Sequence, residues 1–196
     1  MDLGIQGKVA LVLASSKGLG QAIAVSLAKE GARVVLTGRT VEALERTAKQ
    51  IIEAGGRATV LPWDLHQLNE IDLKISQIEK EVGPVDILIN NTGGPPPTAA
   101  ANQSIELWQS NFNHLVLLLM KVTDRVLPQM KAKAWGRIIT STSSGMISPI
   151  PGLAISNTLR AAIMGWSKTL ASEVAKDGVT VNIVLPGRIA TDRLHE

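Results

Sequence analysis

Val9-Ala10-Leu11-Val12-Leu13-Ala14-Ser15-Ser16-Lys17-Gly18-Leu19-Gly20 passes from an unbroken aliphatic run into small, glycine-bearing residues and then into a segment of helical period. A short apolar run without polar alternation is a strand covered on both faces, the condition of a parallel sheet sandwiched by helices. The glycines after it mark a sharp turn that opens a helix. Strand, small-residue turn and helix N-terminus together form an anion site, because unpaired N–H groups and the helix dipole converge there.

The same alternation continues along the chain. Strands are predicted at 8–14, 33–37, 57–61, 85–90, 137–142 and 179–185, and helices at 19–30, 41–54, 68–82, 105–131 and 156–176. Gly31, Gly55 and Gly83 stand just past three of the helices, where a left-handed cap favours glycine. Stacked βαβ units with right-handed crossovers predict an α/β fold: a Rossmann-type, doubly wound parallel sheet flanked by helices in three layers, with ligands at the carboxyl edge of the strands. A chain of 196 residues is long enough for one sizeable core, so residues 1–196 are read as a single nucleotide-binding domain.

Composition removes several classes of function. With 45% apolar and 19% charged residues the chain is globular rather than disordered. It has no cysteine, which excludes disulfides, thiolate nucleophiles and cysteine-based zinc sites. His66 and His195 have no carboxylate or histidine at ligand spacing, so no metal site is expected. The net charge of +3 comes from dispersed residues, which argues against a nucleic-acid surface. No apolar stretch reaches the roughly 20 residues of a membrane span. The N-terminus has no basic region followed by an apolar one, so no signal peptide is expected and a cytoplasmic location is.

The turn Ser15-Ser16-Lys17-Gly18-Leu19-Gly20 is the first candidate ligand site, a phosphate cradle. About twenty residues beyond such a turn, an acidic side chain would hold the ribose 2′-hydroxyl of NAD. Thr37-Gly38-Arg39 stands there instead. Arg39, with Lys17 inside the turn, suits a 2′-phosphate and predicts NADP(H) in preference to NAD(H). The plain alternative for Arg39 is an exposed charge at the start of a helix.

Further motifs follow in order: Asp64 after the third strand, Asn90-Asn91-Thr92-Gly93 after the fourth, and Pro186-Gly187 after the sixth. With the glycine turn, they make the chain resemble the short-chain dehydrogenase/reductase family, particularly its 3-oxoacyl-acyl-carrier-protein and carbonyl reductases. The resemblance implies that Asp64 and Leu65 contact the adenine ring, and that Asn90 braces the central strand and lines the cofactor beside Thr92 and Gly93. It also implies that Pro186, Gly187 and Thr191 lie beside the nicotinamide carboxamide. Where the family has T-G-x-x-x-G-x-G, this chain begins with Leu13-Ala14. Alanine needs little more room than glycine, so weakened cofactor binding at most is expected.

At the reaction centre the departures are larger. Family members move a hydride between nicotinamide and a carbonyl carbon while a tyrosine gives or takes the proton, aided by a lysine, a serine and an asparagine. This chain contains no tyrosine. By position, Ser143 takes the serine's place at a strand end where Thr142 and Ser144 also carry hydroxyls, and Ser156, thirteen residues on, takes the tyrosine's. Arg160 falls on the lysine, and the asparagine on or near Leu115, between Asn113 and His114. A serine alcohol is a far weaker acid than a phenol, and arginine does not titrate at working pH, though it can hold two ribose hydroxyls. General acid–base help is worth about 10²–10⁴-fold, so its loss slows a hydride transfer without forbidding it.

Three readings of Ser156 and Arg160 therefore stay open. In one, the protein is an NADP(H)-dependent reductase of a ketone, aldehyde or 3-oxoacyl thioester, with Ser143, Ser156 and Arg160 as its catalytic residues: Ser143, Ser156, a water or His114 supplies the proton, and Arg160 orients the cofactor or an anionic substrate. In another, it binds NADP(H) without turnover, as a sensor or oligomer partner. In the third, Arg160 serves packing and dimerisation only. His114, on a long apolar segment, is read as structural before catalytic. Leu159, Ala162, Ile163, Trp166 and Leu170 share a helical face that is core or subunit interface, and a homodimer or homotetramer is expected. Family members commonly continue past the sixth strand with a substrate lid and a last strand. This chain stops at Leu194-His195-Glu196, so either the natural product is longer or an edge strand needs a partner.

Overall fold

The computed structural model describes residues 2–187 and 189–190. Six parallel strands form one sheet in the order β3-β2-β1-β4-β5-β6: β1 Val9–Val12, β2 Arg33–Gly38, β3 Arg57–Pro62, β4 Ile87–Asn90, β5 Gly136–Ser141 and β6 Val179–Val184. The order reverses between β1 and β4, the first formed and the fourth, which sit side by side at the centre with Ala10 opposite Ile87 and Val12 opposite Ile89. The loops leaving these two strands must diverge, and the crevice between them is where ligands enter sheets of this kind.

The helices are α1 Gly18–Lys29, α2 Val41–Glu53, α3 Ile71–Glu81, α4 Ile105–Phe112, α5 Leu118–Ala132 and α6 Ala154–Val174. Alternate residues of β1 face opposite layers. Ala10 and Val12 pack with Ala24, Ala28, Leu44 and Ile51 of α1 and α2, while Leu11 belongs with Ile75, Ile78, Val122, Val126 and Ile163 of α3, α5 and α6. Small alanines on α1 bring that helix close to the sheet, which sets its N-terminus directly above β1. Gly31 and Gly55, past the ends of α1 and α2, take φ of +85° and +82° as the chain reverses into the next strand.

The single helix expected at 105–131 is interrupted. Residues Asn113–Leu117 form a π-type turn between α4 and α5, a wider coil that carries one extra residue past the ladder. Its effect is local and falls on the segment flanking Leu115. On the expected interface face of α6, Leu159 and Ile163 are buried in the core and Trp166 and Leu170 pack against it, whereas Ala162 is exposed.

The sheet's opposite edge is tied by Asp86, at the foot of β4. Its buried carboxylate accepts from the Val9 amide at 2.9 Å and from Lys133 Nζ at 2.6 Å, joining β1, β4 and the end of α5. Two cations lie against the Trp135 ring, Lys8 Nζ at 4.3 Å and the Arg137 guanidinium at 4.4 Å from its centroid. Both features lie away from the ligand edge and serve the frame.

Candidate active site

A cavity of about 1130 Å³ opens at the carboxyl edge over the β1–β4 crevice. One end is walled by Ser16, Lys17, Gly18, Leu19 and Gly20, with Gly38 and Arg39 from the end of β2. Trp63, Asp64, Leu65 and His66, after β3, form one flank, and Asn91, Thr92, Gly93 and Gly94, after β4, form the floor. The far end is closed by Ser141 at the end of β5 and Thr142 and Ser143 just after it, Ser156 and Arg160 from α6, and Pro186 and Gly187 after β6. Residues expected from distant motifs are thus brought to one volume.

Two expected residues stand behind the wall. Ser15 is fully buried; its hydroxyl accepts from the Thr37 amide at 2.9 Å and donates to the Thr37 carbonyl at 3.3 Å, fastening the turn to β2. Asn90, also fully buried, donates to Thr123 Oγ1 at 3.1 Å and ties β4 to α5. Its neighbour Asn91, which sequence reasoning passed over, reaches the turn instead: Nδ2 donates to the carbonyls of Leu13 and Ala14 at 3.2 and 3.3 Å. Thr191 lies outside the described residues.

The turn brings backbone close to backbone. A Cβ placed on Gly20 would collide with the Ala14 carbonyl and with Asn91 Nδ2, so only glycine lets α1 start this close to β1. Gly18 takes φ of +59°. Ala14 takes φ of +50°, and this corrects the expectation that alanine costs only room. The cost is conformational, because a Cβ in the left-handed region is strained by about 1–2 kcal/mol. Arg39 is exposed at the rim, near enough for its charge to help lower the Asp64 carboxyl.

On the flank that follows β3, Asp64 and His66 form a short turn in which Asp64 Oδ1 accepts from the His66 amide at 3.1 Å and pairs with His66 Nδ1 at 2.9 Å. These hydrogen bonds hold the Asp64 carboxyl below the usual carboxylate range against a smaller opposing effect of burial. The His66 ring meets His114 edge to face, with centroids 4.0 Å apart. His66 thus has both a carboxylate and a histidine beside it, contrary to the expectation from spacing along the chain. The D-x-H pattern was readable as a local turn, but the partner from the π-type turn depends on tertiary packing. Burial, and then the His66 charge, push the His114 imidazole below its ordinary 6.5. Among the described residues, no group of three His, Asp or Glu is placed to hold a metal ion.

At the far end Arg160 is 8% exposed and Ser156 9%, yet both line the cavity. Arg160 Nε donates to Ser156 Oγ and Nη1 to the Ser141 carbonyl, each at 3.3 Å. The i, i+4 spacing on α6 permits the first bond, and the end of β5 supplies the second. Ser143 Oγ accepts from the Gly145 amide at 3.1 Å, and Thr142 Oγ1 approaches the Val184 carbonyl at 3.2 Å. An oxygen that already accepts a bond has its own proton left to donate, so Ser143 and Ser156 can each present a hydroxyl proton to an oxygen in the cavity. Arg160 adds a fixed positive charge where burial strengthens it.

The family described as short chain dehydrogenase matches residues 8–196. A ketoacyl reductase of Nostoc sp. is 32% identical over 186 residues, which are 95% of this chain and 65% of that protein. A 3-oxoacyl-[acyl-carrier-protein] reductase of Synechocystis sp. is 33% identical over 96% of this chain and 76% of its own length. The crystal structure of L-sorbose reductase from Gluconobacter frateurii, complexed with NADPH and L-sorbose, superposes with a TM-score of 0.93 at 36% identity, covering 98% of this chain and 74% of that one.

Proposed function

Because the chain belongs to the short chain dehydrogenase family, we propose that it is an NADP(H)-dependent oxidoreductase that reduces a carbonyl, a ketone or a 3-oxoacyl group, to an alcohol, with Ser143, Ser156 and Arg160 at its reaction centre. The observation that carries this reading is the buried Arg160 guanidinium, hydrogen-bonded to Ser156 at the cavity end opposite the glycine turn. NADPH in the structurally similar sorbose reductase supports the cofactor, and Lys17 and Arg39 at the turn support NADP(H) over NAD(H).

The cavity's residues divide the work. The glycine turn and the N-terminus of α1 hold the pyrophosphate, Arg39 and Lys17 the 2′-phosphate, and Asp64 with Leu65 the adenine. Thr92, Gly93, Pro186 and Gly187 line the path to the nicotinamide, whose bound, reduced form supplies the hydride. Ser143 and Ser156 donate hydrogen bonds to the carbonyl oxygen, and Arg160 stabilises the negative charge that grows on it. The guanidinium keeps its proton, so the alcohol proton comes from a serine hydroxyl that is reprotonated by water.

A second reading rests on one fact: the chain contains no tyrosine, so turnover lacks the family's phenolic acid and the protein binds NADP(H) as a sensor or oligomer partner. Assembly into a homodimer or homotetramer is part of either reading and is supported by Ile105 and Phe112, exposed by 68% and 41% on α4. A cytoplasmic location is likewise part of either reading. Among the described residues, no helix is long and apolar enough to cross a membrane.

Oxidation of NADPH by the full-length protein, against a panel of ketones, aldehydes and 3-oxoacyl thioesters, tests the proposal. Turnover of at least one class, abolished in Arg160→Ala, is the expected result. Tight NADPH binding with no oxidation across the panel establishes the second reading. Calorimetry with both cofactors tests the preference, and binding of NADH as tight as NADPH overturns it.

A further inference from the structure

The helix that carries Ser156 and Arg160 begins without a cap of its own. Leu153, at the N-cap position of α6, offers no side-chain acceptor. The first amides of a helix have no partner within it and must find one elsewhere. Here they find Thr98, in the loop that follows β4. The Ala154 amide donates to the Thr98 carbonyl at 3.1 Å, and the Ile155 amide to Thr98 Oγ1 at 3.3 Å. The Thr98 amide in turn donates to the Gly152 carbonyl at 2.7 Å, closing a parallel bridge between Thr98 and Leu153. One residue therefore supplies three contacts across the start of α6.

The position of Thr98 is itself constrained. Pro95, Pro96 and Pro97 precede it, each with a ring that fixes φ, so the loop reaches Thr98 as a stiff strut. The strut starts from Gly93 and Gly94 on the cavity floor, just after Asn91, whose amide grips the glycine turn. A continuous path runs from the phosphate cradle through Asn91 and the proline strut to the first turn of α6. Ser156 is only one residue beyond the last amide that Thr98 holds.

We propose that Thr98 is the positioning residue of the reaction centre, a cap supplied from the nucleotide floor that fixes the first turn of α6 and with it the Ser156–Arg160 pair. The inference rests on the reductase reading for its kinetic consequence, but not for its structural one. The Thr98 hydroxyl touches neither reacting atoms nor cofactor in this role; it acts through the Ile155 amide. Losing it frees the first turn to shift, and small misplacements at a reaction centre cost turnover steeply.

Thr98→Val keeps the shape and both backbone contacts and removes only the Oγ1 acceptor; Thr98→Ser restores it. In the valine variant kcat is expected to fall about 3- to 30-fold with the dissociation constant of NADPH within twofold of the wild type, and the serine variant to recover most of the loss. The Arg160 Nε–H resonance, bonded to Ser156 Oγ, is expected to shift or broaden in the valine variant and return in the serine variant. An unchanged kcat in an active enzyme, or an unchanged Arg160 resonance, overturns the proposal. If the wild-type protein turns over no carbonyl, the reductase reading fails, while the resonance still decides whether Thr98 holds the pair.

Discussion

The cavity end formed by β1, β2 and α1, where we place the nucleotide, is shaped mainly by backbone, whereas the end formed by β5 and α6, where we place the reaction, is shaped by side chains. At the first, Gly20 is required by the Ala14 carbonyl and Asn91, and Ser15 is consumed in holding the turn to β2. At the second, Ser143, Ser156 and Arg160 sit on ordinary strand-end and helical backbone, where other residues of similar size would leave the fold intact. A site made of backbone resists substitution because any change disturbs the chain's path. A site made of side chains can exchange its chemistry one residue at a time. The contrast explains how one chain keeps Gly18 and Gly20 in its first turn and carries no tyrosine.

The sharpest way to break this contrast is to rebuild the reaction end alone. If α6 presents Ser156 and Arg160 where family members carry tyrosine and lysine, then Ser156→Tyr with Arg160→Lys should raise NADPH-dependent reduction of simple ketones by about 10²–10⁴-fold, the usual worth of general acid catalysis. Initial rates on the folded double variant check this, and no gain would mean that the nicotinamide lies elsewhere. At the nucleotide end, Arg39→Gln should weaken NADPH binding by about 10- to 100-fold, the worth of hydrogen bonds to a charged group, and leave NADH unaffected. Equal losses for both cofactors in calorimetry would remove Arg39 from the 2′-phosphate.

A smaller effect is expected at Ala14, whose φ of +50° is the backbone strain of the turn. Ala14→Gly should stabilise the fold by up to about 1 kcal/mol in denaturant titration, the relief of a left-handed alanine less the added freedom of the unfolded glycine. The smallest concerns His114. Burial and the neighbouring His66 make the imidazole harder to protonate in the native protein than in the unfolded chain, only partly offset by Asp64. Its contribution is present above pH 6.5 and is lost as pH falls through the lowered native value, because the unfolded state then binds the extra proton. His114→Asn should flatten stability against pH over that acid limb, measured by melting at fixed ionic strength, and leave the region above neutrality unchanged.

The nucleotide end was also the more legible in sequence, for the same reason. Glycines, a buried aliphatic strand and a helix start are local patterns, so the turn and all six strands were readable to within a few residues. The alternation of strands and helices gave the parallel doubly wound sheet, whereas the side-by-side placement of β1 and β4 is seen only in the structure. The reaction end depends on tertiary contacts that leave little local trace. The π-type turn at 113–117 is hidden inside a continuous helical period. The His66–His114 contact joins residues far apart in the chain, and the cap from Thr98 reaches α6 from 57 residues away. Pro95, Pro96 and Pro97 mark a stiff loop by composition alone, but nothing local says what its far end holds.

The knot at Asp86 has a consequence for how the chain is made. Val9, at the sheet's centre, receives its carboxylate partner from a residue 77 positions later. At a synthesis rate of about 5–20 residues per second, Asp86 leaves the ribosome roughly 4–15 s after Val9 does. Throughout that interval the most apolar strand of the protein is without β4 beside it. The nascent chain therefore passes through a period in which its future centre is exposed, and a holding chaperone would find its target in Val9–Val12 rather than at the reaction end.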